Sequence, residues 1–253
     1  MNLAQLLNDA RVRVDDVAKP YLYPDGQIVA WLNEAVSEAC VRARLKYDED
    51  SSVCKIPIVD SVAVYQLDPS IYEIVDAWLV PVNGTTAGRL LVGTSQTALD
   101  EQSSQPDTRT HFTTYKGYYQ SSYPYWLGGN WRTWKGTPIY YIRDLPRLQL
   151  VPIPSTGSLQ FPMTLNLACF RLPLCSEEMK QDKDCPIIPA MWHSKLPIWV
   201  EFRAFNQYDA ETADEKRRDF ALAEFEAAFG KRPDANTTRK QNQLTRKTTR
   251  VNW

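Results

Sequence analysis

The sequence predicts an α+β fold: a helical bundle built from both sequence ends, an inserted antiparallel β-sandwich or barrel-like domain, and an extended C-terminal arm. Three observations predict it. Apolar residues recur at three- and four-residue steps over residues 2–46 and again over 188–229. Between them lie short runs of near alternation, rich in β-branched residues and broken by Pro and Gly. After Gly230 the periodicity stops, and Lys231, Arg232, Arg239, Lys240, Arg246, Lys247 and Arg250 face only Asp234. The expected division is 1–50 and 176–230 for the two halves of the helical domain, 51–175 for the β domain with a Tyr/Trp-rich loop at 108–136, and 231–253 for the arm.

In order along the chain, Asn2 to Val17 sets Leu3, Leu6, Leu7, Ala10, Val14 and Val17 on one helical face. Pro20 and the Pro24-Asp25-Gly26 turn end that helix. Asp25 is the expected cap of the next, in which Ile28, Trp31, Leu32, Ala35, Val36, Ala39, Cys40 and Ala43 repeat to about Lys46. This hairpin is apolar on one side only and needs a partner.

From Ser52 the period changes. Val53, Lys55, Pro57 and Val59 alternate, then Val62, Val64 and Gln66. Ile71 to Val82 is a longer strand, and Thr137 to Asp144, Arg147 to Pro154 and Ser158 to Phe170 give three more. Pro154-Ser155-Thr156-Gly157 reads as a hairpin turn between the last two. Prolines within these runs point to edge strands or bulges. Thr94 to Asp107 is polar and loop-like. His111 to Trp134 crowds Tyr115, Tyr118, Tyr119, Tyr123, Tyr125, Trp126, Trp131 and Trp134 among glycines and serines, and reads as a long loop.

The stretch Ile188 to Phe229 organises the rest. Trp192, Leu196, Trp199, Val200, Phe202, Ala204 and Phe205 mark one amphipathic helix, and Phe220, Ala221, Phe225, Ala228 and Phe229 a second. Pro189 suits a first helical turn. Pro197 demands either a kink or a helix that starts just before it. Thr212 or Asp214 is the expected N-cap of the second helix, and Gly230 its C-terminal glycine. Trp192, Trp199, Phe202 and Phe205 present rings on more than one side, as side-by-side subunits require.

At 253 residues and 43% hydrophobic, the chain can bury a substantial core. A formal charge of -1 provides no global field to attract nucleic acid or membrane. No apolar run is long enough to cross a bilayer, and the charged, amphipathic start does not read as a signal peptide, so folding in the cytosol is expected. Cys40, Cys54, Cys169, Cys175 and Cys185 lack metal-ligand spacing and read as small buried hydrophobes.

No catalytic constellation is found. His111 stands at the edge of a polar loop, and His193 reads as a satisfied structural histidine. Nucleophile-elbow, phosphate-loop, dinucleotide and zinc-protease patterns do not occur. Gly128-Gly129-Asn130 follows no strand, and Asp68, Glu73, Asp76 and Asp144 read as solvated surface. No cofactor or metal is expected.

Two stretches remain. The aromatic loop folds over the β domain with its rings buried in a satellite cluster, or contacts a neighbouring subunit or the tail side, or offers exposed rings such as Trp126, Trp131 and Trp134 to a glycan or, less readily, to nucleic acid. The arm adds Leu244, Val251 and Trp253 to its cations. Ordering it costs about 1–2 kcal/mol per residue in backbone entropy. A preformed protein groove with acidic walls and a pocket for Trp253 offsets that cost better than a transient DNA contact.

The chain resembles the head-to-tail adaptor (neck) proteins of tailed bacteriophages. The resemblance is carried by Trp31-Leu32-Asn33-Glu34-Ala35, Tyr65-Gln66-Leu67 with Ile71, and Gly136-Thr137-Pro138-Ile139-Tyr140. It continues through Leu148-Gln149-Leu150-Val151-Pro152-Ile153-Pro154, Asp184-Cys185-Pro186-Ile187-Ile188-Pro189 with His193 and Leu196, and Phe225-Glu226-Ala227-Ala228-Phe229-Gly230. It implies no enzyme activity. It implies a twelvefold ring beneath the portal protein, a β domain toward a tail nozzle or tail-tube protein, and an arm reaching onto the portal. Double-stranded DNA would pass through without sequence-specific binding. The place implied is the virion neck, after assembly in the host cytoplasm.

Overall fold

The computed structural model describes residues 1–82, 88–104, 130–157, 162–207 and 214–234, with 102–104 described by backbone alone. In chain order the elements are α1 (Leu3–Arg13), α2 (Asp25–Ala43), β1 (Tyr47–Asp48), β2 (Lys55–Ile58), β3 (Val64–Gln66), β4 (Ile71–Pro81), β5 (Arg89–Leu90) and β6 (Val92–Thr94). There follow α3 (Gln96–Ser104), β7 (Lys135–Gly136), β8 (Tyr140–Asp144), β9 (Arg147–Val151), β10 (Ile153–Pro154), β11 (Met163–Arg171), α4 (Pro197–Phe205) and α5 (Glu215–Phe229). The fold is mixed α+β, its sheets are mainly antiparallel, and none closes into a barrel among the described residues.

The chain divides into two compact units. The first gathers Met1–Asp48, Ser70–Glu73 and the described residues from Cys169 onward; the second gathers Glu49–Pro69 and the described part of Ile74–Ala168.

In the first unit α1 opens with a capping box. Asn2 Oδ1 accepts from the Gln5 N–H at 3.0 Å, and Gln5 Oε1 accepts from the Asn2 N–H at 3.1 Å. The helix ends earlier than its apolar pattern suggests, because the chain turns at Asp15 (φ 59°) and leaves Val17 61% exposed. Buried Arg11 organises that turn. Its guanidinium donates to Asp16 at 2.7 Å, to the Tyr23 carbonyl at 3.1 Å, and to Asp25. Asp25 is therefore a partner of Arg11 and not the cap of α2, whose N-cap position is Pro24 with no side-chain bond. Helix α2 ends at Ala43, where Arg44 takes the left-handed conformation (φ 52°).

Pro197 sits at the first turn of α4, after a 3₁₀ turn over Ala190–Lys195. There its missing N–H removes no helical hydrogen bond. Asp214 caps α5 by accepting from the Lys216 and Arg217 N–H groups at 3.0 and 3.1 Å, and Gly230 ends it at φ 85°; Thr212 lies outside the described residues. One core joins Leu6, Ile28 and Leu32 to Val200, Phe225 and Phe229. Phe220, expected on the core face of α5, is instead 70% exposed. The reason is angular. Phe220 lies about 140° around the helix from Phe225, whereas Ala221 and Phe229 each lie one turn from it.

In the second unit one sheet has the order β3-β9-β8-β6. Its hairpin is β8–β9, turning at Leu145-Pro146 between the paired Asp144 and Arg147. The expected turn at 154–157 is not a hairpin. Strand β9 pairs with β8 and β3, while Met163–Asn166 of β11 pairs antiparallel with β2, so the turn passes the chain from one sheet to another. The Thr156 N–H donates to Asp60 at 2.7 Å and fixes it there.

Residues 96–104 form α3 where a polar loop was expected. Ser95 begins it, its hydroxyl accepting from the Ala98 N–H at 3.1 Å, and Leu99 is buried with Trp131, Ile142 and Val151. This helix lies in the crossover between β6 and β8, which pair in parallel, as do β7 and β10. Cys40, Cys54 and Cys169 are buried as expected. Cys175 and Cys185 are exposed, because they belong to the connector after β11 and not to a packed element.

Candidate functional site

The candidate site lies at the C-terminal end of α5. Arg42 on α2 lies 5.3 Å from the ring centroids of both Trp199 and Phe225. Its Nε donates to Glu38 at 3.1 Å and its Nη1 to the Gly230 carbonyl at 3.4 Å. The second oxygen of Glu38 takes Arg232 at 3.1 Å. One buried arginine thus holds the end of α5, and the carboxylate that orients it holds the first residues of the arm. Lys231 is exposed. Arg239, Lys240, Leu244, Arg246, Lys247, Arg250, Val251 and Trp253 lie outside the described residues.

The four rings read as subunit contacts are placed unevenly. Trp199 is 6% exposed in the core, its ring 4.9 Å from those of Phe202 and Phe225. Trp192 is half-buried, 5.4 Å from Phe229. Phe202 is half-buried, and so is Phe205, beneath the Arg217 guanidinium at 4.3 Å. The large ring left open on these helices is Phe220, which periodicity alone assigned to the core.

At the aromatic loop, Trp131 is 2% exposed and its Nε1–H donates to Asp100 of α3 at 2.6 Å. Arg132 donates to the same carboxylate at 2.8 Å and covers the Trp131 ring at 4.2 Å. Arg132, with Trp131, holds the Asp100 carboxyl below the usual carboxylate range. Trp134 packs half-buried against the same cluster. Both tryptophans therefore belong to the packing of the second unit. Tyr118, Tyr119, Tyr123, Tyr125, Trp126 and His111 lie outside the described residues. Asp100 was not singled out from sequence, although Ser95 ahead of Ala98 and Leu99 was a legible start signal for the helix that carries it.

The remaining ionisable clusters are structural. His193 is buried, with Nε2 at 2.9 Å from the Ile188 carbonyl and Nδ1 at 2.9 Å from the Met1 nitrogen. Arg171 donates to Asp48 at 2.5 Å and to both oxygens of Glu177 at 2.5 and 2.7 Å. Arg171 holds the Glu177 carboxyl low. Burial pushes the Cys40 thiol up to about 11, away from thiolate chemistry. Glu73 pairs with Arg44 at 2.8 Å and Asp144 with Arg147 at 3.0 Å. Among the described residues no group of three or more His, Cys, Asp and Glu could hold a metal ion, and no helix is long and apolar enough to cross a membrane.

The geometry is that of anchoring and packing. No curated protein matches the chain. A family model described as SU10 adaptor protein matches residues 1–250, nearly the whole length. In agreement with the resemblance to phage head-to-tail adaptors, the chain belongs to the SU10 adaptor protein family.

Proposed function

We propose that this chain is the head-to-tail adaptor of a tailed phage virion, assembling as a twelvefold ring at the neck beneath the portal. The helices from the two sequence ends work as one body that contacts neighbouring copies. The β domain faces a tail nozzle or tail-tube protein, and the ring forms part of the channel through which double-stranded DNA passes. The lumen is neutral to acidic, so it does not grip the duplex, and the arm is kept for the portal.

The observation that carries this reading is the fixing of residues 230–232 at the point where a strongly basic sequence begins. Arg42 and Glu38 pin Gly230 and Arg232. Beyond them the sequence 235–253 has five cations and no acid, and ends in Trp253. A basic segment anchored at its start suits an acidic, preformed socket on a partner. Trp131, closed into the packing of its own unit, gives the glycan-binding alternative little support.

Removing 235–253 while keeping α5 and Arg232 tests the proposal. The shortened chain is expected to fold as before and to lose binding to purified portal protein. Undiminished binding rejects the proposed role of the arm.

A further inference from the structure

We propose that neighbouring copies join head to tail, with Phe220 of one copy seated in a groove beside α2 of the next. The inference rests on the ring reading and names its contact surface.

The projecting partner is the outer face of α5. Phe220 is 70% exposed, and Ala223 and Ala227, three and seven residues on, are exposed on the same side. The opposite face of the helix holds Ala221, Phe225 and Phe229 in the core. The exposed side of α5 thus carries one large ring and two alanines among charged residues such as Lys216 and Asp219, while the unit buries the opposite face. A single exposed phenylalanine would be ordinary; one in a stripe flanked by charge is an interface pattern.

The receiving partner is a groove of about 560 Å³ between α2 and residues 173–187. Its floor includes Val29, Ala30, Pro173, Met179, Pro186 and Ile187. Glu34, Glu177 and Glu178 also line it, with Lys180 the one cation there. Glu34 and Glu177 each hold an arginine of their own unit. Glu178, 45% exposed and 3.8 Å from Lys180, is the most open carboxylate of the three. Lys216 lies one turn before Phe220 on the exposed side of α5, next to the Arg218–Asp219 ion pair, and brings a cation toward the acidic wall. No residue of α5 lines the groove.

A second copy is the occupant that these facts select. Knob and groove belong to one unit but to different elements, so the contact is heterologous, and such contacts repeat into a ring when the rotation closes.

The test uses the full chain loaded on portal, in a Cys175→Ser background. Ala223→Cys is placed one turn from Phe220, and native Cys185 precedes the groove residue Pro186. A short bis-maleimide is expected to give a ladder of cross-linked oligomers. Phe220→Glu, which sends a like charge toward the acidic wall, and Ala30→Trp, which fills the groove from an exposed position, are each expected to abolish it. Rings in electron images with no cross-linked dimer, or a ladder undiminished in both variants, overturn the inference while the ring reading stands. If the wild-type chain forms no ring on portal, the ring reading falls and this contact with it.

Discussion

The rings of Trp199 on α4 and Phe225 on α5 lie 4.9 Å apart at an interplanar angle of 50°, and the Arg42 guanidinium stands 5.3 Å from each. Three helices meet at that stack, and the root of the arm hangs from the same arginine. Phe225→Ala is expected to destabilise the fold by about 3–5 kcal/mol, through lost transfer energy and the cavity left behind. Phe220→Ala, on the exposed face of the same helix, should stay within about 0.5 kcal/mol. Urea midpoints of the two variants check this, and equal losses would contradict the described placement of α5.

The Arg171 clamp predicts acid sensitivity of a particular form. Glu177 has a folded pKa below its ordinary value because it is bonded to Arg171. Its contribution is therefore fully present above the ordinary carboxylate pKa of about 4.3 and is lost as pH falls through the lower folded value. Glu177→Gln should be less stable than wild type at neutral pH, with the gap closing in acid. Denaturation midpoints measured from pH 7 to pH 3 test it; a constant gap would contradict the coupling.

Asp48 and Arg171 are 8% and 2% exposed at their side chains. Arg171→Met leaves buried Asp48 without this cation, and a loss of about 3–5 kcal/mol is expected. Thermal unfolding of the variant is the measurement, and a loss below about 1 kcal/mol would contradict this role.

Asp214 satisfies two orphan N–H groups at the start of α5. Asp214→Ala is expected to cost about 1 kcal/mol, and Asp214→Asn much less, since the amide oxygen can still accept. Chemical denaturation of the pair tests the cap directly.

The bond from Trp131 to Asp100 joins α3 to the 3₁₀ turn at Trp131–Thr133. In Asp100→Ala the Trp131 indole N–H loses this acceptor and Arg132 loses its ion-pair partner. The unfolding midpoint should fall, and indole fluorescence should report altered packing before global unfolding. An unchanged midpoint would contradict the bond.

Much of the helical unit was legible because its signals are local. Asp214, Pro197 and Gly230 act within one turn of where they stand, and their chemistry is the same in any context. Errors arose where a distant partner decides the outcome. Asp25 has the chemistry of a cap, yet Arg11 of another helix takes it. The turn at 154–157 has hairpin residues, but neither flanking strand finds its partner across it. Phe220 has the right residue type for a core, and only the angle from Phe225 shows that it faces out. The same holds for the site. The basic arm was visible in composition, whereas the clamp from Glu38 to Arg232 joins residues far apart in sequence.

The portal-bound form of the chain is the state in which the proposed ring is most directly measured. Electron images of full-length protein mixed with purified portal should show closed rings coaxial with the portal, absent when residues 235–253 are removed. Single copies scattered on the portal, or no association at all, would contradict it.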